Sequence, residues 1–176
     1  MIPEHELITQ AGQFDPRALA EVYDLFSPRL YRYAMRLLGD ASTAEDCVSE
    51  TFSRYLKALQ AGRGPRDHLQ AYLFRIAHNL VVDHYRRQTP TEELEEDLPQ
   101  AGTTEGIAED NQRKRGVREA LRQLTEDQQQ VVMLKFLEGW DNEEIARALH
   151  KPVGAVKSLQ HRALAQLQKL LLNEAR

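Results

Sequence analysis

The amino-acid sequence predicts an all-α chain of two small helical domains joined by a flexible acidic linker. Helix formers and long polar side chains dominate a composition of 41% hydrophobic, 28% charged and 7% aromatic residues, as in small helical domains. Apolar residues recur at three- and four-residue steps in both halves, the period of one helix face. Between the halves, Gln88 to Asp110 carries eight acids (Glu92, Glu93, Glu95, Glu96, Asp97, Glu105, Glu109, Asp110), Pro90, Pro99, Gly102 and Gly106, and no Lys or Arg. Such a stretch lacks the apolar surface that offsets ordering entropy, so 88–110 is expected to be mobile and to separate two independent units, 1–87 and 111–176.

In the first unit, prolines at first-turn positions start two predicted helices, Pro16 to Phe26 and Pro28 to Leu38, and Gly39 stands where a C-terminal cap belongs. A third begins at Ser42, because Ser42-Thr43-Ala44-Glu45 has the capping-box spacing. Along it Ala44, Cys47, Val48, Thr51, Phe52, Tyr55, Leu56 and Leu59 make one apolar stripe, which leaves Glu45, Asp46, Ser49, Glu50 and Arg54 outward. After a loop with Gly62, Gly64 and Pro65, a fourth helix is expected from Asp67 to about Arg87. Leu69, Leu73, Ile76, Ala77 and Leu80 share one face of it, and His68, Arg75, Asn79 and Arg86 share the opposite one.

The second unit opens with a basic helix from Asn111 through Leu124. Thr125-Glu126-Asp127-Gln128 has capping-box spacing for the next helix, which Gly139 ends. Asp141-Asn142-Glu143-Glu144 opens a short helix, with Trp140 placed to staple onto Ile145, and that helix ends near His150. Lys151-Pro152 makes a turn before a last helix from Val153 to about Leu172. Its core stripe is Val156, Leu159, Ala163, Leu167 and Leu170, with Gly154, Lys157, Ser158, His161 and Arg162 on the solvent side. A short helix, a tight turn and a second helix is the helix-turn-helix arrangement. Spacing alone fits a plain helical hairpin equally well.

Charge and motifs narrow the function classes. The net charge of -4 hides an uneven distribution: outside 88–110 the 23 basic residues face only 19 of the 27 acids, so local basic patches can attract phosphates. No stretch approaches the roughly 20 apolar residues of a membrane span, and Met1 to Gln13 lacks the order of a signal peptide, so a cytoplasmic protein with no membrane insertion is expected. The single cysteine, Cys47, has no disulfide or zinc partner and sits in an apolar stripe, where it reads as a small core residue. His78 and His84 fall on different helix faces, and no carboxylate pair, phosphate loop or Ser-His-Asp order stands out. The sequence thus implies no enzyme, no metal site and no cofactor.

Two segments resemble a known family. Leu124-Thr125-Glu126-Asp127-Gln128, Glu143-Glu144-Ile145-Ala146 and Val153 through Ala163 resemble the fourth conserved region of extracytoplasmic-function sigma factors, bacterial subunits of RNA polymerase. This half also resembles the DNA-binding domain of LuxR-type regulators. Thr43 to Phe52 and Tyr72 to Arg87 resemble the core-binding segment and the promoter-melting helix of the sigma family's second region, and together the two halves cover about Ala18 to Leu172.

The resemblance implies a sigma region 2-like helical bundle and a sigma region 4-like helix-turn-helix. It implies that Glu45, Asp46, Ser49 and Glu50 dock on the clamp helices of the largest subunit of core polymerase, with the flap as the second polymerase contact. Arg63, Arg66, His68, Arg75, Asn79, Arg86 and Arg87 would meet the promoter element named minus ten, and Gly154, Ala155, Lys157, Ser158, His161 and Arg162 the element named minus thirty-five. An anti-sigma factor is the implied regulator. At the helix-turn-helix, His150 replaces a turn Gly, Pro152 a capping Ser or Thr, and Leu159 an Arg common in the family. The other classes open to the sequence are a helix-turn-helix regulator that does not join polymerase and a helical adaptor that binds only protein.

Overall fold

The computed structural model describes residues 2–88 and 105–174. Its elements are α1 (Glu4–Gly12), α2 (Pro16–Leu38), α3 (Ala41–Gln60), α4 (Leu69–Arg87), α5 (Glu105–Arg122), α6 (Glu126–Val132), a π-helical turn (Met133–Leu137), α7 (Asn142–Leu149) and α8 (Val153–Glu174). Most of the expected linker lies outside the described residues. Its last six, 105–110, already belong to α5, which starts before the expected Asn111.

No helix is predicted for the first thirteen residues, yet α1 forms there and buries Leu7, Ile8 and Ala11. The two helices expected on either side of Ser27 are one. Ala18, Val22, Phe26, Leu30, Tyr33, Ala34, Leu37 and Leu38 form a buried stripe that runs through Pro28 without a break. An interior proline costs about 3 kcal/mol, whereas each large apolar side chain fully buried returns roughly 1.5–3 kcal/mol, so the stripe prevails. Pro28 also lies on the exposed side, where water reaches the carbonyl that loses its donor. Gly39 then takes the left-handed conformation (φ 75°) and stops the helix.

The cap of α3 is Asp40, not Ser42. Its carboxylate accepts from the Thr43 amide at 2.8 Å and the Thr43 hydroxyl at 2.6 Å, and these two bonds hold its pKa below the ordinary value. Helix α4 starts at Leu69 after His68, which is left-handed (φ 48°) and makes no side-chain cap. The missing acceptor comes from α1: Glu4 Oε1 takes the Leu69 amide at 3.1 Å. In the second half, both expected capping boxes are formed, at Thr125 with Gln128 and at Asp141 with Glu144. The π-turn, marked by the Glu138 amide bonding Met133 O at 3.2 Å, was not expected.

The two halves pack against each other. Helix α2 packs on α1, α3 and α4, and α8 packs on α5, α6 and α7, but α4 also packs on α7 and α2 on α5. One apolar core runs from Leu7 through Phe74 to Trp140 and Ala163. The α4 face is correspondingly wider than expected: Phe74, His78 and Val81 are buried together with Leu69, Leu73 and Ala77, because the second half covers α4 from the side away from α3.

Candidate nucleic-acid and polymerase interface

On α3 the buried stripe of Ala44, Cys47, Val48, Thr51 and Tyr55 turns Glu45, Asp46, Ser49 and Glu50 into solvent. Arg54 pairs with Glu50 at 3.2 Å, so Glu45 and Asp46 dominate the negative edge. Beneath them, Cys47 Sγ contacts the Ala77 carbonyl at 3.7 Å, and burial pushes its thiol up to about 11. The thiol is protonated at neutral pH and behaves as a small core group.

The cations of α4 and its preceding loop are not equivalent. Arg63, Arg66 and Asn79 are exposed. His68 is partly buried, 3.9 Å from Asp67. Arg75 donates to the Ala148 carbonyl of α7 at 2.7 Å, and Arg86 pairs with Glu126 of α6. Arg87 lies to the other side, lining a groove between α3 and α4 with Asp46, Glu50, Asp83 and His84. Tyr72 and Phe74 both pack: Tyr72 against Tyr55, and Phe74 edge-on to Tyr33 and to Trp140 at 5.3 Å each.

In the helix-turn-helix, His150 adopts the left-handed turn (φ 53°, ψ 46°) usual for glycine, as its residue type permits. The Lys151 amide closes that turn on Ala146 O at 3.0 Å, and its ammonium pairs with Asp127 at 3.2 Å. Gln160 donates to Asn142 at 2.6 Å and locks α8 against α7. With Val156, Leu159 and Ala163 buried, Gly154, Lys157, Ser158, His161 and Arg162 form an open face with Ala155 at its edge. Leu159 is part of the core, so replacing Arg there adds packing as it removes a polar contact.

The residues that sequence reasoning missed lie where the halves meet. The Glu138 side chain, 1% exposed, pairs with Arg29 at 3.0 Å and Arg32 at 3.5 Å. Arg29 also donates to Gln70 at 2.7 Å and lies over the Phe26 and Phe74 rings. Arg122 of α5 stacks over Tyr85 at 4.7 Å, and the Arg118 guanidinium fills the space beside Gly39. Behind this seam the Tyr33 hydroxyl meets His78 Nδ1 at 2.9 Å. Burial lowers the His78 pKa to about 4, opposed by the Glu126 backbone and the Asp127 carboxylate. No local pattern marks Glu138 or Arg29, which are far apart in sequence.

Among the described residues no helix is long and apolar enough to cross a membrane, and no group of three His, Cys, Asp or Glu is arranged to hold a metal. Residues 22–91 match the family model for sigma-70 region 2, and residues 114–167 that for sigma-70, region 4. The chain is 34% identical to the ECF RNA polymerase sigma factor BldN of Streptomyces coelicolor, over 97% of this chain and 67% of that protein. It is 30% identical to the ECF RNA polymerase sigma factor SigL of Mycobacterium tuberculosis, over 93% and 94%. Its fold is similar to that of CnrH in complex with the cytosolic domain of CnrY, with TM-score 0.73 at 24% identity over 96% of each chain. It is also similar to the sigma factor RpoE in complex with the anti-sigma factor NepR from Bartonella quintana, with TM-score 0.58 at 24% identity over 86% and 95%. Two matching regions in the family's order, and relatives at least 30% identical over 93% or more of this chain, lead to one conclusion: this chain belongs to the extracytoplasmic-function family of RNA polymerase sigma factors.

Proposed function

We propose that this chain joins core RNA polymerase in the cytoplasm, selects promoters by two spaced elements and opens the DNA at one of them. The observation that carries this is the presence in one chain of an exposed acidic edge on α3, a cationic α4 and a helix-turn-helix with an open polar face. Residues 1–87 form the unit that binds core and melts DNA, the segment between α4 and α5 the tether, and the chain from α5 onward the unit that reads the upstream element. Glu45, Asp46, Ser49 and Glu50 meet basic side chains of the clamp helices, and the second unit meets the flap. Arg63, Arg66, His68, Arg75, Asn79, Arg86 and Arg87 track the melted strand, since cations follow phosphates and Asn bonds an unstacked base. Gly154, Ala155, Lys157, Ser158, His161 and Arg162 enter the major groove, where the small residues allow close approach and the polar ones reach bases and phosphates. Tethering on polymerase raises the effective concentration of each weak contact. An anti-sigma factor of the kind bound to the Bartonella protein is the proposed regulator, and the chain performs no catalysis itself.

The test adds the purified chain to core polymerase on a supercoiled genomic library. Promoter-specific initiation is expected; DNA binding without core would replace this reading with a free-standing regulator, and neither result would leave a protein-binding adaptor. Within it, Asp46→Arg is expected to weaken core affinity about tenfold or more, the scale of one misplaced interface charge, with an unchanged circular dichroism spectrum. Unaltered retention of core in a pull-down would exclude Asp46 from the docking edge.

A further inference from the structure

We infer that Arg29 and Arg32 of α2, together with Arg75 of α4, form a phosphate-binding cleft for single-stranded DNA, and that Glu138 occupies this cleft as an internal substitute while the two halves are packed. This rests on the reading of α4 as the strand-contacting helix and extends that surface onto α2, which no sequence motif assigned.

The three guanidinium groups stand on α2 and α4 of the first half, and each has a partner in the second. Arg29 and Gln70 are joined at 2.7 Å, which places α2 and α4 on one edge. Among the described residues, the one carboxylate that pairs with either Arg29 or Arg32 is Glu138, and Arg75 bonds the Ala148 carbonyl. The Glu138 carboxylate and the Ala148 carbonyl both belong to the half that must move if the chain is to span two separated elements, whereas the Gln70 acceptor of Arg29 stays on α4. On departure, Arg29 and Arg32 lose their carboxylate and Arg75 its carbonyl, while Arg29 stays held in place by Gln70. Guanidinium forks bind carboxylate and phosphate with the same planar geometry, so a phosphodiester is the natural replacement.

Two further observations agree. The Glu138 side chain is 1% exposed, whereas those of Arg29 and Arg32 are 30% and 55% exposed, so the two guanidinium groups already border solvent and can exchange one oxyanion for another. Phe74 lies beneath Arg29 and is covered by Trp140 at 5.3 Å. Removing the second half uncovers an aromatic ring beside the cations, the combination that single-stranded nucleic acid uses for base stacking and backbone tracking.

The experiment titrates a fluorescein-labelled single-stranded oligonucleotide of mixed sequence with the full chain, by anisotropy, over a series of salt concentrations. Glu138→Gln, nearly isosteric, is expected to bind several-fold tighter than the parent. Arg32→Gln added to Glu138→Gln is expected to reverse that gain and to lower the slope of log K against log salt by about 0.7, the value for one lost phosphate contact on a single strand. Arg32 is 55% exposed, so this change is compatible with folding. A gain from Glu138→Gln that Arg32→Gln leaves intact, in affinity and slope, would mean that opening merely uncovers α4 and would overturn the cleft. No gain from Glu138→Gln overturns the occupancy by Glu138. Should Glu138→Gln fail to fold, the slope of Arg32→Gln alone in the polymerase complex on promoter DNA decides. Initiation by the parent chain with core is run alongside: its failure removes the sigma reading, whereas the oligonucleotide slope decides the cleft in either case.

Discussion

Glu4 shows how one side chain sets the start of the helix proposed to melt DNA. His68 turns into the left-handed region without capping α4, so the Leu69 amide depends on a carboxylate 65 residues earlier. Glu4→Ala is expected to lower stability by about 1 kcal/mol, as loss of an N-cap acceptor does, measured by urea denaturation. Glu4→Gln, which keeps an acceptor oxygen, is expected to retain most of it. His78 gives a pH dependence. Its pKa is about 4 in the folded chain and roughly 6.5 when unfolded, so between those values the unfolded chain holds the extra proton. Its contribution is complete above pH 6.5 and declines toward pH 4, at up to about 1.4 kcal/mol per pH unit. Melting curves across that range are expected to be flatter for His78→Gln than for the parent; parallel curves would remove His78 as the cause. The outward acids of α3 and the open residues of α8 were legible in the sequence because helical period alone decides which side chains face solvent. The engagement of Arg75 and Arg86 was not, since their acceptors come from another element.

At the scale of elements, local chemistry read well where it was self-contained. The boxes at Thr125 and Asp141 need only four consecutive residues and form as the sequence indicates. Where two local signals compete, tertiary packing decides. Asp40 displaces Ser42 as the α3 cap because it follows the Gly39 turn directly and receives two bonds from Thr43. Pro28 fails to divide α2 because the apolar stripe continues beneath it. Pro28→Ala is accordingly expected to stabilise the chain, by up to about 3 kcal/mol from helix propensity less a fraction for the freer unfolded chain. A denaturation midpoint that stays put or falls would show that the proline ring packs favourably. Helix α1 escaped notice because three apolar residues in nine are too few for a periodic signal.

For the whole molecule, the packed seam is the feature least visible in sequence. Its ion pair joins Arg29 to a residue 109 positions away, and no short-range pattern encodes such a pairing. The seam can be followed by energy transfer between dyes on cysteines introduced at the exposed Gln60 and Gln168, because the buried Cys47 thiol, at about 11, stays unlabelled at neutral pH. Arg29→Glu and Glu138→Arg are each expected to lower transfer efficiency as the halves separate. Combining them restores opposite charges across the seam and is expected to recover at least half of the lost transfer. Equal efficiency in all four proteins would show that the ion pair does not hold the halves together.

The π-turn at Met133–Leu137 gives this seam an unusual kind of control. A π-turn carries one residue more than the α-helical turn it replaces, and each residue advances the chain by about 100° around the helix axis. Glu138 and Trp140 therefore face the first half by virtue of chain length as much as of side-chain identity. Deleting or inserting a single residue in that turn would swing both away while leaving the buried stripes of α2, α4 and α8 intact. Members of a family could thus differ in how tightly their halves close through an indel of one residue, with every contact residue retained.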